Sequence, residues 1–303
     1  MGHKREVNMV KIVENRKVFF GISLAIIIFG MIMFAVNGLN KGIDFAGGTL
    51  IQIRIGKTVP VDEVRKITDD YDKEASIIHS GPNKDEVIIK STKDFTNKEI
   101  NEIFDKFKEK YNLKDDSPLQ AQKFSPTMGD EIREKALLSA AIAVVAMLIY
   151  ITWRFEFKFA LAAIIALAHD VLITLSVYAI FKIPVNSSFI AAILTILGYS
   201  INDTIVIFDR IRENLKISKK DPYEKVINYS IKQSMTRTIN TSLTTLTAIL
   251  MLYIFGVEDI KVLALPLIIG VISGTYSSIF IASPLWYVMK SKEKNTGYNP
   301  KRA

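Results

Sequence analysis

Six apolar stretches decide what this chain can become. They cover roughly residues 19–36, 136–153, 159–181, 187–209, 242–256 and 262–289. A helix needs about 20 mostly apolar residues to cross the hydrocarbon core of a bilayer. Inside that core every backbone N–H and C=O must be satisfied within the protein, which leaves helices or closed barrels. Runs of this length predict an α-helical membrane protein with six transmembrane helices. The fifth run is short unless its helix begins near Thr236. The sixth is long and holds Pro266, Gly270, Gly274 and Pro284, so a kinked or frayed helix is expected there. The first run follows Lys11, Arg16 and Lys17, and a cleaved signal peptide is the competing reading. The run is long for a signal core and Val36-Asn37-Gly38-Leu39 is a poor cleavage site, so a retained helix is expected.

Orientation follows from lysine and arginine in the short connections. With six spans, the segment before the first, the 154–158 and 210–240 connections and the segment after the last fall on one side and hold 20 such residues, against Lys182 and Lys261 on the other. The resulting organisation is a cytoplasmic N-terminus at 1–18, a first span at 19–36, an extracytoplasmic domain at 37–135, spans two to six within 136–289 with a basic cytoplasmic loop at 210–240, and a cytoplasmic tail at 290–303. The net charge of +8 reads as attraction to anionic membrane lipid, not to nucleic acid. The chain has no cysteine and three histidines. That excludes a disulfide framework and thiol chemistry and leaves little for a metal cluster.

The outer segment reads as a small folded domain. Thr49, Ile51, Ile53 and Ile55 alternate with more polar neighbours, a strand pattern. Val61, Val64, Ile67 and Tyr71 follow at helical spacing. Residues 75–79 and 87–90 flank Gly81-Pro82-Asn83, a hairpin signal. Thr96-Asn97-Lys98-Glu99 is a capping box, opening a helix with Ile100, Ile103, Phe104, Phe107 and Tyr111 on one face. Residues 119–124 supply a last strand. The order β-α-β-β-α-β is the split pattern of ferredoxin-like domains.

Polar residues inside the apolar runs carry the functional signal. Asp203 lies five or six residues in from the cytoplasmic end of span four, where a bare carboxylate costs about 2.5 kcal/mol or more. Removal from water disfavours the charged form of a carboxylate, which suits it to taking up and releasing protons near neutral pH. Asn202 and Thr204 flank it as possible hydrogen-bond partners. Arg237, just before span five, is the candidate counter-charge, with ordinary cytoplasmic basic charge as the plainer reading. Asn240, Thr241, Ser242, Thr244, Thr245 and Thr247 could line a wet path or let helices pack closely. His169 and Asp170 stand at the centre of span three. Adjacent helical residues point about 100° apart, so a single shared site is not expected of them. Interhelical polar packing and a proton relay are both open, and no second histidine at metal-ligand spacing accompanies them. Gly42, Asp44, Gly47 and Gly48 sit where span one meets the outer domain. The glycines suit a tight join or hinge, and a phosphate loop is excluded because no Gly-Lys-Ser/Thr follows. Gly270 and Gly274 have the small-xxx-small spacing of a close helix contact, within the chain or with a partner.

Five motifs occurring in order make the chain resemble the SecD/SecF family of protein-export membrane proteins, within the RND superfamily. They are GIDFAGGT at 42–49, RFEFKFALAAIIALAHD at 154–170, GYSINDTIVIFDRIREN at 198–214, RTINTSLTTL at 237–246 and GTYSSIFIASPL at 274–285. Residues 125–131 follow the family pattern more loosely. The resemblance implies one six-helix half of an RND-type transporter, with a ferredoxin-like domain between helices 1 and 2. It implies SecD as the other half, a place beside the SecYEG channel with YajC- or YidC-type accessory proteins, and contact with the exported polypeptide. It implies use of the proton-motive force in the bacterial cytoplasmic membrane, with protons as coupling ion and no other cofactor. Asp203 matches the family's proton-coupling aspartate, and Arg237 its functional arginine. Three other classes remain open from the residues alone. One is an RND-type exporter half for a lipid or small molecule, which calls for an apolar, ligand-lined cleft in the outer domain. Another is an intramembrane enzyme using His169 and Asp170, which lacks a cysteine nucleophile, a GxSxG motif or a paired metal motif. The third is an assembly factor without transport of its own.

Overall fold

The computed structural model describes residues 11–295, apart from 82, 115–117 and 219. Basic residues Lys4, Arg5, Lys219, Lys301 and Arg302, and Pro82 of the expected hairpin turn, lie outside the described residues. In chain order the elements are α1 (Arg16–Asn37), α2 (Ile43–Ala46), β1 (Gly48–Arg54), α3 (Val61–Thr68), β2 (Ser76–Ser80), β3 (Glu86–Ser91), α4 (Asn97–Tyr111) and β4 (Gln120–Phe124). They continue with α5 (Pro126–Arg154), α6 (Phe157–Phe181), α7 (Ser187–Ile217), α8 (Tyr223–Phe255), α9 (Glu258–Ser277), a π-helical turn (Ser278–Ala282) and α10 (Ser283–Asn295). Six helical stretches are long and apolar enough to cross a membrane, as six apolar runs predict, and the chain is a multi-pass membrane protein.

Small residues set the helix packing. Lipid tails are as apolar as leucine, so membrane helices associate through close contact, not through burial from water. Ala160, Ala162, Ala163 and Ala166 of α6 are fully buried. A Cβ on Gly30 of α1 would lie 2.2 Å from the Ser176 Cβ of α6. Gly270 and Gly274 of α9 meet Ile196 and Ser200 of α7 in the same way, so this close contact is made within the chain. Helices α1 and α5 turn most of their apolar side chains outward. The last span is divided by the π turn. Pro284 has no N–H to continue the α-helical ladder, and the Ser283 hydroxyl reaches back to the Ser278 carbonyl at 3.2 Å.

On the side of the bundle away from the sheet, helices α7 and α8 run past their apolar stretches. Residues 210–240, expected as a loop, are therefore helical except for the short connection between Ile217 and Tyr223. Packing beyond the apolar segment accounts for this. Asn214 donates to Ser230 and Gln233, both at 2.8 Å, and the preceding chain is tucked in beside them. Ile12 and Val13 are buried, and their N–H groups donate to Asn228 Oδ1 at 3.2 and 3.1 Å. Phe159, Phe208 and Trp286 close this end, with the Phe159 and Trp286 rings stacked at 4.5 Å.

The four strands form one antiparallel sheet in the order β2-β3-β1-β4. With α3 and α4 this is the ferredoxin-like arrangement that the element order predicts. Ile51 pairs with Ile89 and Ile53 with Val87, and these side chains bury against Val64, Ile103, Phe104 and Phe107. Thr96 and Glu99 form the predicted capping box. Gly47 and Gly48 have φ of 78° and 138°, and a Cβ on Gly48 would lie 2.1 Å from the Ser91 carbonyl oxygen. Only glycine fits that turn.

Candidate functional site

The polar center of the bundle lies where α6, α7, α8 and α9 meet. Helix α7 carries Asp203 there because Ser200, Asp203, Thr204 and Ile207 share its inward face at spacings of three and four residues. Asp203 is 3% exposed. Ser242 of α8 donates to its Oδ2 at 3.0 Å, and the Thr241 hydroxyl stands at 3.4 Å from Oδ1. The Thr275 hydroxyl of α9 lies 2.7 Å from the Ser242 hydroxyl and 2.8 Å from the Val271 carbonyl, and shares its single proton between them. Tyr199 donates to the Thr241 carbonyl at 3.1 Å, fastening α7 to α8 beside the carboxylate.

A second buried carboxylate stands nearby. Asp170 of α6 is fully buried. Its Oδ2 accepts from Ser200 at 2.7 Å and from Ser277 at 2.8 Å, and its Oδ1 accepts from Ser273 at 2.7 Å. His169 Nδ1 lies 3.1 Å from the same Oδ1, and its Nε2 lies 2.9 Å from the Ser23 hydroxyl of α1. Despite the helical offset the two side chains meet each other, while Asp170 faces α7 and α9 and the far nitrogen of His169 faces α1. An ionised carboxylate offers about four acceptor positions. Asp170 has three hydroxyl donors and the His169 ring nitrogen around it. Asp203 has two, one of them long, and is the less satisfied of the pair.

The other expected residues are distributed differently. Thr204 is buried and shares a hydrogen bond with Ser278 at 2.8 Å. Asn202 is exposed on the opposite side of α7. Arg237 and Asn240 are exposed on α8. No salt bridge joins Arg237 to Asp203 among the described residues. Thr241 and Thr244 bond back to their own helix, Thr244 to the Asn240 and Thr241 carbonyls. The glycine-rich join is pinned, not free. Asp44 Oδ2 accepts from the N–H and hydroxyl of Ser187 at 2.8 and 2.6 Å, capping the first turn of α7. Gly42 N–H donates to the Val185 carbonyl at 2.7 Å, and Val185 N–H to Asn40 at 2.8 Å. Reasoning from the sequence missed Ser200, Ser273 and Ser277 as ligands of Asp170, and Thr275 as a neighbour of Ser242. The four-residue spacing of Ser273 and Ser277 was the available signal.

Six spans, a ferredoxin-like domain between the first and second, and a pair of buried carboxylates define an RND-type half-transporter architecture. The family model described as "Protein export membrane protein SecD/SecF, C-terminal" matches residues 103–292, and the SecD/SecF GG motif matches residues 32–59. The chain is 40% identical to the protein translocase subunit SecF of Helicobacter pylori, over 89% of this chain and 83% of that one. It is 36% identical to the protein translocase subunit SecDF of Bacillus subtilis, over 92% of this chain and 38% of that one. The crystal structure of SecDF from Thermus thermophilus, a translocon-associated membrane protein, superposes with a TM-score of 0.78 at 32% identity, covering 93% of this chain and 39% of the longer one. The chain belongs to the SecD/SecF family of protein-export membrane proteins.

Proposed function

We propose that this chain works as the SecF-type half of a SecD–SecF pair and couples proton movement through Asp203 to protein export. The observation that carries the reading is the contrast between the carboxylates: Asp203 is buried with one close hydroxyl donor, Ser242, while Thr241 stands at 3.4 Å and is shared with its own helix, and Asp170 has three close hydroxyl donors. A proton arriving at Asp203 removes the charge that Ser242 and Thr241 hold, and the contact between α7 and α8 loosens. The far end of α7 begins at Ser187, which is bonded to Asp44 at the root of the outer domain, so movement of α7 reaches that domain through a rigid helix. One charge crossing 100 mV supplies about 2.3 kcal/mol, enough to bias a two-state element about fiftyfold.

The placement that goes with this reading is the bacterial cytoplasmic membrane, with both termini cytoplasmic and the sheet domain outside. The uneven distribution of lysine and arginine supports it. The partners are SecD, the SecYEG channel and YajC- or YidC-type proteins, with the exported polypeptide as substrate. The coupling ion is the proton, and no catalytic activity is assigned. An exporter half for lipids or small molecules calls for an apolar cleft in the outer domain. The cleft of about 390 Å³ between the sheet and the bundle has mixed walls, with Lys41, Lys90, Lys261 and Glu258 beside Ile78, Tyr178, Tyr253 and Leu265, and it lies at the join to the bundle, not within the outer domain.

The test is export of a secreted precursor in cells carrying Asp203→Asn, with membrane level and SecD association measured alongside. Precursor accumulation as in a deletion, with the variant present and paired, is the expected result. Normal export makes the carboxylate structural and favours the assembly-factor reading.

A further inference from the structure

The segment 273–277 of α9 is held at both carboxylates by alternating residues. Ser273 and Ser277 donate to Asp170 at 2.7 and 2.8 Å. Thr275, between them, contacts the Ser242 hydroxyl, which donates to Asp203. Ser200 of α7 closes the figure, since it donates to Asp170 from one turn before Asp203. Gly274 lies against Ser200 with no room for a Cβ, so α9 has no slack toward α7. Directly after Ser277 the α-helical ladder gives way to the π turn. A π turn interrupts the regular register and often accompanies functional sites in helices.

We propose that Asp170 is a positioning residue for the Asp203 site: it anchors α9 through Ser273 and Ser277, so that α9 presents Thr275 to Ser242 and registers the charge on Asp203. The inference rests on the reading of Asp203 as the proton-coupling group. With Asp203 ionised, α9 is held at two carboxylates. With Asp203 protonated, the Ser242–Thr275 link slackens while the Asp170 anchor remains, and α9 pivots about Asp170 with the π turn taking up the change. The titratable groups around Asp170, among the described residues, are His169 beside it, Tyr276 of α9, whose ring stacks on His169 at 6.0 Å, and Asp203 itself. Helix α1 contributes only the Ser23 hydroxyl.

A purely structural anchor and a positioning anchor differ in what they do to pH dependence. Weaker donation to the Asp203 carboxylate favours its protonated form. Gradient-driven export would then reach half-maximum at higher pH, by on the order of one pH unit, the size expected when a hydrogen bond to a titrating carboxylate is lost. The experiment measures gradient-driven export in inverted vesicles across pH for the Ser273→Ala/Ser277→Ala double variant, which leaves Asp170 with Ser200 and His169. Thr275→Val is run in parallel, because it cuts the link to Ser242 and leaves the anchor whole. Asp170→Asn keeps an acceptor oxygen and is expected to show a smaller shift than the double variant. If the double variant does not accumulate, Ser273→Ala alone, which thins the same anchor, takes its place. An unmoved midpoint in both, with export scaled only by membrane level, overturns the proposal. Asp203→Asn in the same vesicles separates the two claims. If it exports normally, the proton-coupling reading itself fails. If it is inactive while the other variants keep the original midpoint, only the positioning role falls.

Discussion

At the scale of residues, backbone spacing between helices matters as much as charge. Gly274 and Gly198 lie on helices of the same bundle but meet different surroundings. A Cβ on Gly274 would stand 2.9 Å from both Cβ and Oγ of Ser200, while one on Gly198 would meet nothing within 4 Å. Gly274→Ala is therefore expected to lower stability by about 1–3 kcal/mol, the usual cost of overpacking, and to disturb the Ser200–Asp170 bond. Gly198→Ala should be neutral or slightly stabilising, because alanine is the better helix former. Thermal unfolding of the two purified variants in the same detergent checks this, and equal shifts would refute it. Asp203 was legible in the sequence because a carboxylate in an apolar run stands out. Thr241 and Ser242 were legible only as two of several small polar residues of span five, and their bonds to Asp203, like the contact of Thr275 with Ser242, exist only once three helices are packed. His169 and Asp170 show the same limit, since side-chain torsion, not helical offset, brought them together.

At the scale of elements, the outer domain is the part that sequence patterning described best. Alternation marked the buried face of β1, and the capping box marked the start of α4; β3 buries Val87, Ile88 and Ile89 in a row and shows no alternation. The Glu99 carboxyl is held below its usual range, first by the Thr96 backbone N–H and then by the Thr96 hydroxyl. A lowered folded-state value means that this contribution to stability is present above the unfolded value of about 4.3 and is lost as pH falls through the folded one. Protection factors of residues 97–111 in the full chain, taken relative to the pH-dependent exchange of an unstructured peptide, should therefore fall on acidification, and Glu99→Gln should remove part of that dependence. An identical acid response in the variant would contradict the capping argument. Phe107 is fully buried beneath the sheet, and Phe107→Ala should cost about 3–5 kcal/mol, read as loss of exchange protection across β1 and β3. The long helices were harder to delimit. Apolar runs show where lipid begins and ends, but α7 and α8 continue beyond it because Asn214, Ser230 and Asn228 give them polar packing that hydropathy does not register.

At the scale of the whole molecule, one face of α8 remains unexplained by a chain standing alone. Thr236, Arg237, Asn240, Thr244 and Thr247 are all exposed, interspersed with exposed Leu243 and Met251, along a helix apolar enough to lie in a membrane. Such polar groups in membrane helices almost always face other helices or a water-filled cavity, not lipid. The same strip holds Arg237 next to the Asp203 site, so covering it would also enclose that site. The SecDF relatives carry both halves on one chain, of which this chain matches 38–40%, and a SecD-type half is the fitting cover. The absence of cysteine makes the prediction clean to test. A single thiol introduced as Thr244→Cys should react readily with a small maleimide when the chain is produced alone, and at least about tenfold more slowly when SecD is co-expressed, as expected for a site buried in a packed helix interface. Val36→Cys, on the 75% exposed end of α1, should label equally in both cases. Equal labelling of Thr244→Cys with and without SecD would place the partner on another face and leave Arg237 facing water. The electrostatic role given to Arg237 would then have to be carried within this chain alone.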